Sequence, residues 1–231
     1  LGCHFCEPTM VDTGIHAEYR AHYEAELKNY FDCIFGPFKP AVLDGLNKMP
    51  AEAQLVCTSH GPCLTDRMGD IEELYRMWST PAAKDGKMAA VLYCSAYGCT
   101  AKLASAAAEA LRQARVRVEV RDVATTPLSE TAALANECDL LAVGAPTINR
   151  DAPKPIWDVL TSIDAINCAK KPAFVFGSFG WSGEAPEMLR SRLSQLRFSV
   201  PDAAFRCSFT PAQADLDAVA ALAREAAAKL G

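Results

Sequence analysis

The stretch "MAAVLYCSAYGCTAKLASAAAEALRQ", residues 88–113, decides the fold. Residues 88–94 form an unbroken apolar run of strand length. A strand without polar alternation is one buried on both faces. The small-residue loop Ser95-Ala96-Tyr97-Gly98-Cys99-Thr100 follows, and the alanine-rich amphipathic segment after it predicts a helix over 100–113. Strand, tight loop and helix make the unit from which parallel sheets are built.

Moving outward, the same grammar recurs. "VRVEVRDV" (116–123) alternates and predicts a strand nearer a sheet edge, while 139–144 and 173–176 are further buried runs. Helices are expected from about Lys154, over 184–196 and over 212–230, with a short fifth strand at 204–207. Five such units predict an α/β fold, a doubly wound five-stranded parallel sheet of flavodoxin-like order 2-1-3-4-5. Its ligand sits beyond the carboxyl ends of the strands. Toward the N-terminus the pattern changes. Residues 17–46 carry Tyr19, Tyr23, Leu27, Tyr30, Phe31 and Ile34 at helical spacing until Pro37 and Pro40 break it. A second helix is expected around 41–48 and a short strand at 54–57. The polar stretch 81–87 reads as a linker, separating residues 1–80 from 88–231. The first region is too sparse to be a domain by itself, and the sequence opens at Leu1 inside what reads as folded chain, as a piece of a longer protein would.

Bulk properties narrow the function. A net charge of −5 and a pI near 5.4, with no basic cluster, exclude a nucleic-acid or anionic-membrane surface. No apolar run approaches the roughly 18 residues of a membrane span, so a soluble cytoplasmic protein is expected. The ten cysteines are scattered, several within apolar runs, and read as reduced thiols. Cys3-His4-Phe5-Cys6 has the spacing of half a zinc site, but no second half follows.

Three loops follow apolar strands and therefore gather on one side of a parallel sheet. In the first, Ser95, Ala96, Tyr97, Gly98, Cys99 and Thr100 present backbone N–H groups, two hydroxyls and a helix N-terminus, which can hold a phosphate without Lys or Arg. An ordinary capped turn with Thr100 as N-cap reads equally well from these residues. The loop matches neither G-x-G-x-x-G nor a P-loop, so a phosphomonoester fits better than a dinucleotide or nucleoside triphosphate. The second loop, Pro146-Thr147-Ile148-Asn149, offers a stiff turn with side-chain donors and acceptors. The third, "GSFGWSGEA" (177–185), sets Phe179 and Trp181 among Gly177, Gly180 and Gly183, with Ser178 beside them. Those glycines are expected to permit positive φ and close approach of a ligand, while the two aromatics could cover a flat ring or pack on a neighbouring domain. A phosphate, a linker and a planar heteroaromatic ring together describe FMN.

The motifs Ser95-x-Tyr97-Gly98-x-Thr100, Pro146-Thr147-x-Asn149 and 177–184 resemble the flavin loops of the flavodiiron proteins (A-type flavoproteins). "LGCHFCEP" (1–8), "NYFDCIFGPFKP" (29–40) and "TSHGP" (58–62) resemble the end of that family's metallo-β-lactamase-like αββα domain. The resemblance implies FMN bound by the loop residues named above, and His60 as the last ligand of a di-iron centre. That centre's H-x-E-x-D-H motif and remaining ligands would lie upstream of Leu1, and His4, Glu7 and His16 do not replace them. It further implies reduction of O2 to water or of NO to N2O, rubredoxin or a similar electron donor, and a head-to-tail homodimer. A stand-alone flavodoxin-like electron carrier and an FMN-free interaction module are the competing readings.

Overall fold

Along residues 88–92 the side chains divide between two cores. Met88, Ala90 and Leu92 join one apolar cluster and Ala89 and Val91 another, which is why this strand reads as continuously apolar. The computed structural model of the 231-residue chain describes every residue except Cys6, Pro8, Ala51, 82–85 and Gly231. The chain divides into two compact units, Leu1–Ala83 and Lys84–Gly231. Most of the expected linker, and half of the Cys3/Cys6 pair, lie outside the described residues.

In the first unit, 3-10 turns precede α1 (Arg20–Tyr30), α2 spans Lys39–Leu46 and α3 spans Met68–Ser79. A π turn, Phe31–Phe35, and a 3-10 turn, Gly36–Phe38, replace the continuous helix expected up to Pro37. The widened turn shifts the helical face. Tyr23, Leu27, Tyr30 and Phe31 are buried, Tyr19 is half-buried, and Ile34 is turned out to solvent. Pro40 sits in the first turn of α2, where its missing N–H costs nothing. The strand expected at 54–57 is reduced to one antiparallel bridge, Val56 with Leu64, because no described segment continues the ladder beyond it.

The second unit comprises β1 (Met88–Tyr93), α4 (Cys99–Gln113), β2 (Arg117–Asp122), α5 (Leu128–Glu137), β3 (Leu140–Pro146), α6 (Lys154–Thr161), β4 (Ala173–Phe179), α7 (Glu184–Gln195), β5 (Phe205–Ser208) and α8 (Gln213–Ala228). All strand pairs are parallel, in the order β2-β1-β3-β4-β5. This is the doubly wound arrangement expected. Leu103 and Leu111 of α4 pack with Val219 and Ala223 of α8 on one face of the sheet. Ile156 and Leu160 of α6 pack with Leu189 and Leu193 of α7 on the other. Each fully buried leucine contributes about 1.5–3 kcal/mol relative to exposure. The order in which successive strands are added reverses between β1 and β3, so their carboxyl ends open the crevice of the sheet. No helix among the described residues is long and apolar enough to cross a membrane.

Candidate functional site

The loops after β1, β3 and β4 converge on a cavity of about 570 Å3 at this switch point. It is lined by Ser95, Ala96, Tyr97, Cys99, Thr100, Pro146, Thr147, Ile148, Asn149, Ser178, Phe179, Gly180 and Trp181, and also by Phe209 and Thr210. None of these side chains is charged. The volume is that of a site for a small cofactor.

The first loop is built around Gly98. At φ +81 this residue is in the left-handed region, where a Cβ would be strained although the space around it is open. It stands at the N-cap position and turns the chain into α4, so Thr100 is not the cap. The Ser95 hydroxyl instead accepts the N–H of Ala101 at 3.2 Å. Thr100 is buried and shares a 2.9 Å hydrogen bond with the buried Ser178 hydroxyl, tying the first loop to the third. The N–H groups of Tyr97, Gly98, Cys99 and Thr100 have no acceptor among the described residues. They add to the positive end of a 15-residue helix, an arrangement suited to an anion.

The second loop is a tight hairpin in which Ile148 and Asp151 exchange backbone hydrogen bonds of 2.9 and 3.0 Å. Its two central residues, Asn149 and Arg150, have φ +51 and +63, the signature of a type I′ turn. Thr147 joins this loop to the third: its N–H donates to Ser178 O at 3.0 Å, and its hydroxyl accepts the Ala185 N–H at 3.3 Å. Across the same seam Arg150 Nε pairs with Glu184 Oε1 at 3.1 Å. The Ser182 hydroxyl, the Glu184 backbone N–H and Arg150 together hold the Glu184 carboxyl below its usual range.

In the third loop the aromatics separate. Trp181 is 100% exposed and Tyr97 of the first loop 96% exposed, whereas Phe179 is half-buried. The expected role of the glycines is corrected. Gly177, Gly180 and Gly183 all lack positive φ, which falls at Gly98, Asn149, Arg150 and Phe209 around this cavity. Gly177 is needed inside the protein, since a Cβ there would meet the Ala145 carbonyl and stand 2.6 Å from Pro186 Cγ. A Cβ on Gly183 would stand 2.8 Å from Phe179 Cδ1, so that glycine seats the Phe179 ring rather than a ligand. Gly98 and Gly183 shape the loops without lining the cavity.

Phe209 and Thr210 were not expected. They follow β5, whose parallel pairing with β4 brings a fourth loop to the same edge, and the topology is the signal that could have found them. Phe209 donates its N–H to Phe179 O at 2.8 Å and is 68% exposed. Its φ of +55 is costly for a bulky residue. His60 belongs to the other unit. It is exposed, with its ring 5.7 Å from that of Tyr30, and no cluster of three metal-binding side chains occurs among the described residues. Gly61 follows at φ +83, and a Cβ there would lie 2.9 Å from Cys3 Cβ.

A family model described as flavodoxin matches residues 91–222. The chain belongs to the flavodoxin family. Its resemblance to longer proteins extends beyond that unit. The flavo-diiron protein FprA2 of Clostridium acetobutylicum is 42% identical over 94% of this chain and 55% of its own length. The type A flavoprotein fprA of Rhodobacter capsulatus is 33% identical over 98% of this chain and 52% of its own length. The chain is therefore homologous to flavodiiron (type A) flavoproteins on both sides of the unit boundary and spans about half the length of these curated relatives. Among solved structures, the Flv1 flavodiiron core of Synechocystis is 29% identical, with a TM-score of 0.57 over 99% of this chain and 56% of that one. Rubredoxin oxygen:oxidoreductase of Desulfovibrio gigas shares the fold, with a TM-score of 0.67 over 99% of this chain and 57% of that one, at 21% identity.

Proposed function

We propose that Lys84–Gly231 binds FMN in the cavity, and that the chain is the electron-transfer portion of a flavodiiron oxidoreductase. One observation carries the reading: beside an uncharged cavity the N–H groups of residues 97–100 have no acceptor among the described residues, and two solvent-exposed aromatic rings, Tyr97 and Trp181, stand at its rim. The N–H groups of residues 97–100, with the Ser95 and Thr100 hydroxyls, donate to the phosphate, whose charge the α4 N-terminus balances without Lys or Arg. Thr147 and Asn149 orient the middle of the ligand, and the backbone of the third loop meets the polar edge of the ring. Tyr97 and Trp181 cover its faces and exclude water, Phe179 backs the third loop, and Phe209 closes the remaining side. When bound, FMN supplies one- and two-electron transfer.

In the full-length protein, residues 1–80 form the end of a metallo-β-lactamase-like domain, and His60 is one ligand of an iron pair whose other ligands lie upstream. That protein reduces O2 to water or NO to N2O in the cytoplasm, accepts electrons from rubredoxin or a similar donor, and acts as a head-to-tail homodimer. The cavity is contained within one unit, which favours a second reading for the chain alone: an electron carrier without catalysis of its own. Titration of the chain with FMN should quench flavin fluorescence at one FMN per chain; failure to quench removes the flavin assignment. The full-length protein, reduced and given O2 or NO, should turn over and contain iron. Flavin binding without iron or turnover would leave the carrier reading.

A further inference from the structure

Two cysteines that the flavin reading leaves unused oppose each other at the base of the His60 turn. Val56 and Leu64 exchange both backbone hydrogen bonds, each 2.9 Å. Cys57 and Cys63, one step further along, therefore occupy the next opposed position. In an antiparallel ladder that is the non-hydrogen-bonded site, where Cα atoms approach to about 4.5 Å and side chains lie closest. Disulfides span Cα separations of about 4.4–6.8 Å, a range that includes the spacing typical of this ladder position.

The surrounding chain holds the pair in register. Cys63 donates its N–H to Met10 O and accepts the Asp12 N–H, each at 2.9 Å. The Thr58 hydroxyl reaches across the turn to Gly61 O at 3.2 Å and Pro62 O at 3.1 Å. Cys57 is exposed and Cys63 half-buried. The neighbouring Cys57 thiol, then burial, raises the Cys63 pKa. Cys138 and Cys207 differ: burial pushes their thiols up to about 12 and about 11, and both stay protonated and inert inside the second unit.

We propose that Cys57 and Cys63 form a reversible dithiol–disulfide site that covalently closes the turn carrying His60, with a small-molecule disulfide of the glutathione class as oxidant. The exposed Cys57, as thiolate, attacks one sulfur of the oxidant, forms a mixed disulfide and expels one thiolate. Cys63, once deprotonated, attacks the Cys57 sulfur and expels the second. The two cysteine thiols give up two electrons and two protons, and the S–S bond of the oxidant becomes two thiols. The inference is independent of flavin binding.

The test treats the fully reduced chain with oxidised glutathione, quenches in acid, alkylates the remaining thiols and maps the peptides by mass spectrometry. The wild-type chain should yield a Cys57–Cys63 crosslinked peptide with neither thiol alkylated, while the exposed Cys33 carries glutathione or the alkyl group. Cys63 acts on the Cys57 adduct at an effective concentration of millimolar order or above. The adduct should therefore be about tenfold or more abundant in Cys63→Ser than in wild type. Glutathione persisting on Cys57 in the wild-type chain overturns the proposal, as does independent alkylation of both residues. The wild-type peptide map decides the matter even if a serine variant folds poorly.

Discussion

Trp181 is a large apolar ring standing wholly in solvent at the rim of an uncharged cavity. Exposure of such a ring forfeits burial energy that a ligand can recover. Trp181→Ala is expected to weaken FMN binding by about 1–3 kcal/mol, the range for a base stacked on an aromatic side chain. Stability without flavin should hardly change, because the ring touches little in the ligand-free chain. Fluorescence titration beside a thermal melt checks both statements, and undiminished affinity would mean that Trp181 serves another surface. Trp181 was legible because "GSFGWSGEA" is too poor in side chains to bury it. Phe209 was not, since "CSFTP" carries no glycine or motif and only strand pairing delivers it to the cavity. The glycines misled for a related reason: a sequence shows that a Cβ is missing, not whether ligand or protein fills the space. At Gly177 it is the protein.

Among the elements, α3 depends on a residue far from it in sequence. The buried Asp12 carboxylate accepts the N–H groups of Thr65 at 3.1 Å and Arg67 at 2.8 Å and the Thr65 hydroxyl at 2.6 Å, fixing the turn that starts α3. Burial acts to raise the Asp12 pKa, but these bonds, with the Thr13 N–H, outweigh it and leave it lowered. A folded pKa below the unfolded value of about 3.9 means the contribution is complete above that value and drains as pH falls through the folded pKa. Asp12→Asn should cost roughly 1.5–3 kcal/mol at neutral pH, and the gap from wild type should close below about pH 4. Hydrogen exchange at the α3 amides measures this, and a gap constant with pH would show that the charge is immaterial. Both α3 and α5 escaped the sequence reading. In α5 the buried face is only Thr131 and Ala135, too small and polar to mark a helix, whereas α3 does carry a helical stripe, Met68, Ile71, Leu74, Tyr75 and Trp78, that the sequence reading passed over. The strands β1, β3 and β4 and the helices α4, α6, α7 and α8 were legible because burial on both faces of a sheet demands long apolar runs and wide helical stripes.

For the molecule as a whole, two units with separate cores imply two responses to one ligand. The cavity draws every lining residue from Lys84–Gly231, so on the proposed function FMN stabilises that unit and not the core of Cys3, Tyr23, Phe31 and Tyr75. A ligand at 100 times its Kd stabilises the unit that binds it by about 2.7 kcal/mol. For a unit of this size that raises the transition by roughly 5–10 °C. Calorimetry with increasing FMN should therefore show one transition that moves with ligand concentration and one that does not. Trp78 fluorescence follows the stationary transition, since this residue packs on Phe31 and Tyr75 at ring separations of 5.1 and 5.8 Å. A single transition moving as one would show that the units unfold together, and the free energy of flavin binding would then also hold the turn that carries His60. Two stationary transitions at saturating FMN would remove the flavin from this cavity, because tight binding to a folded unit must raise its stability.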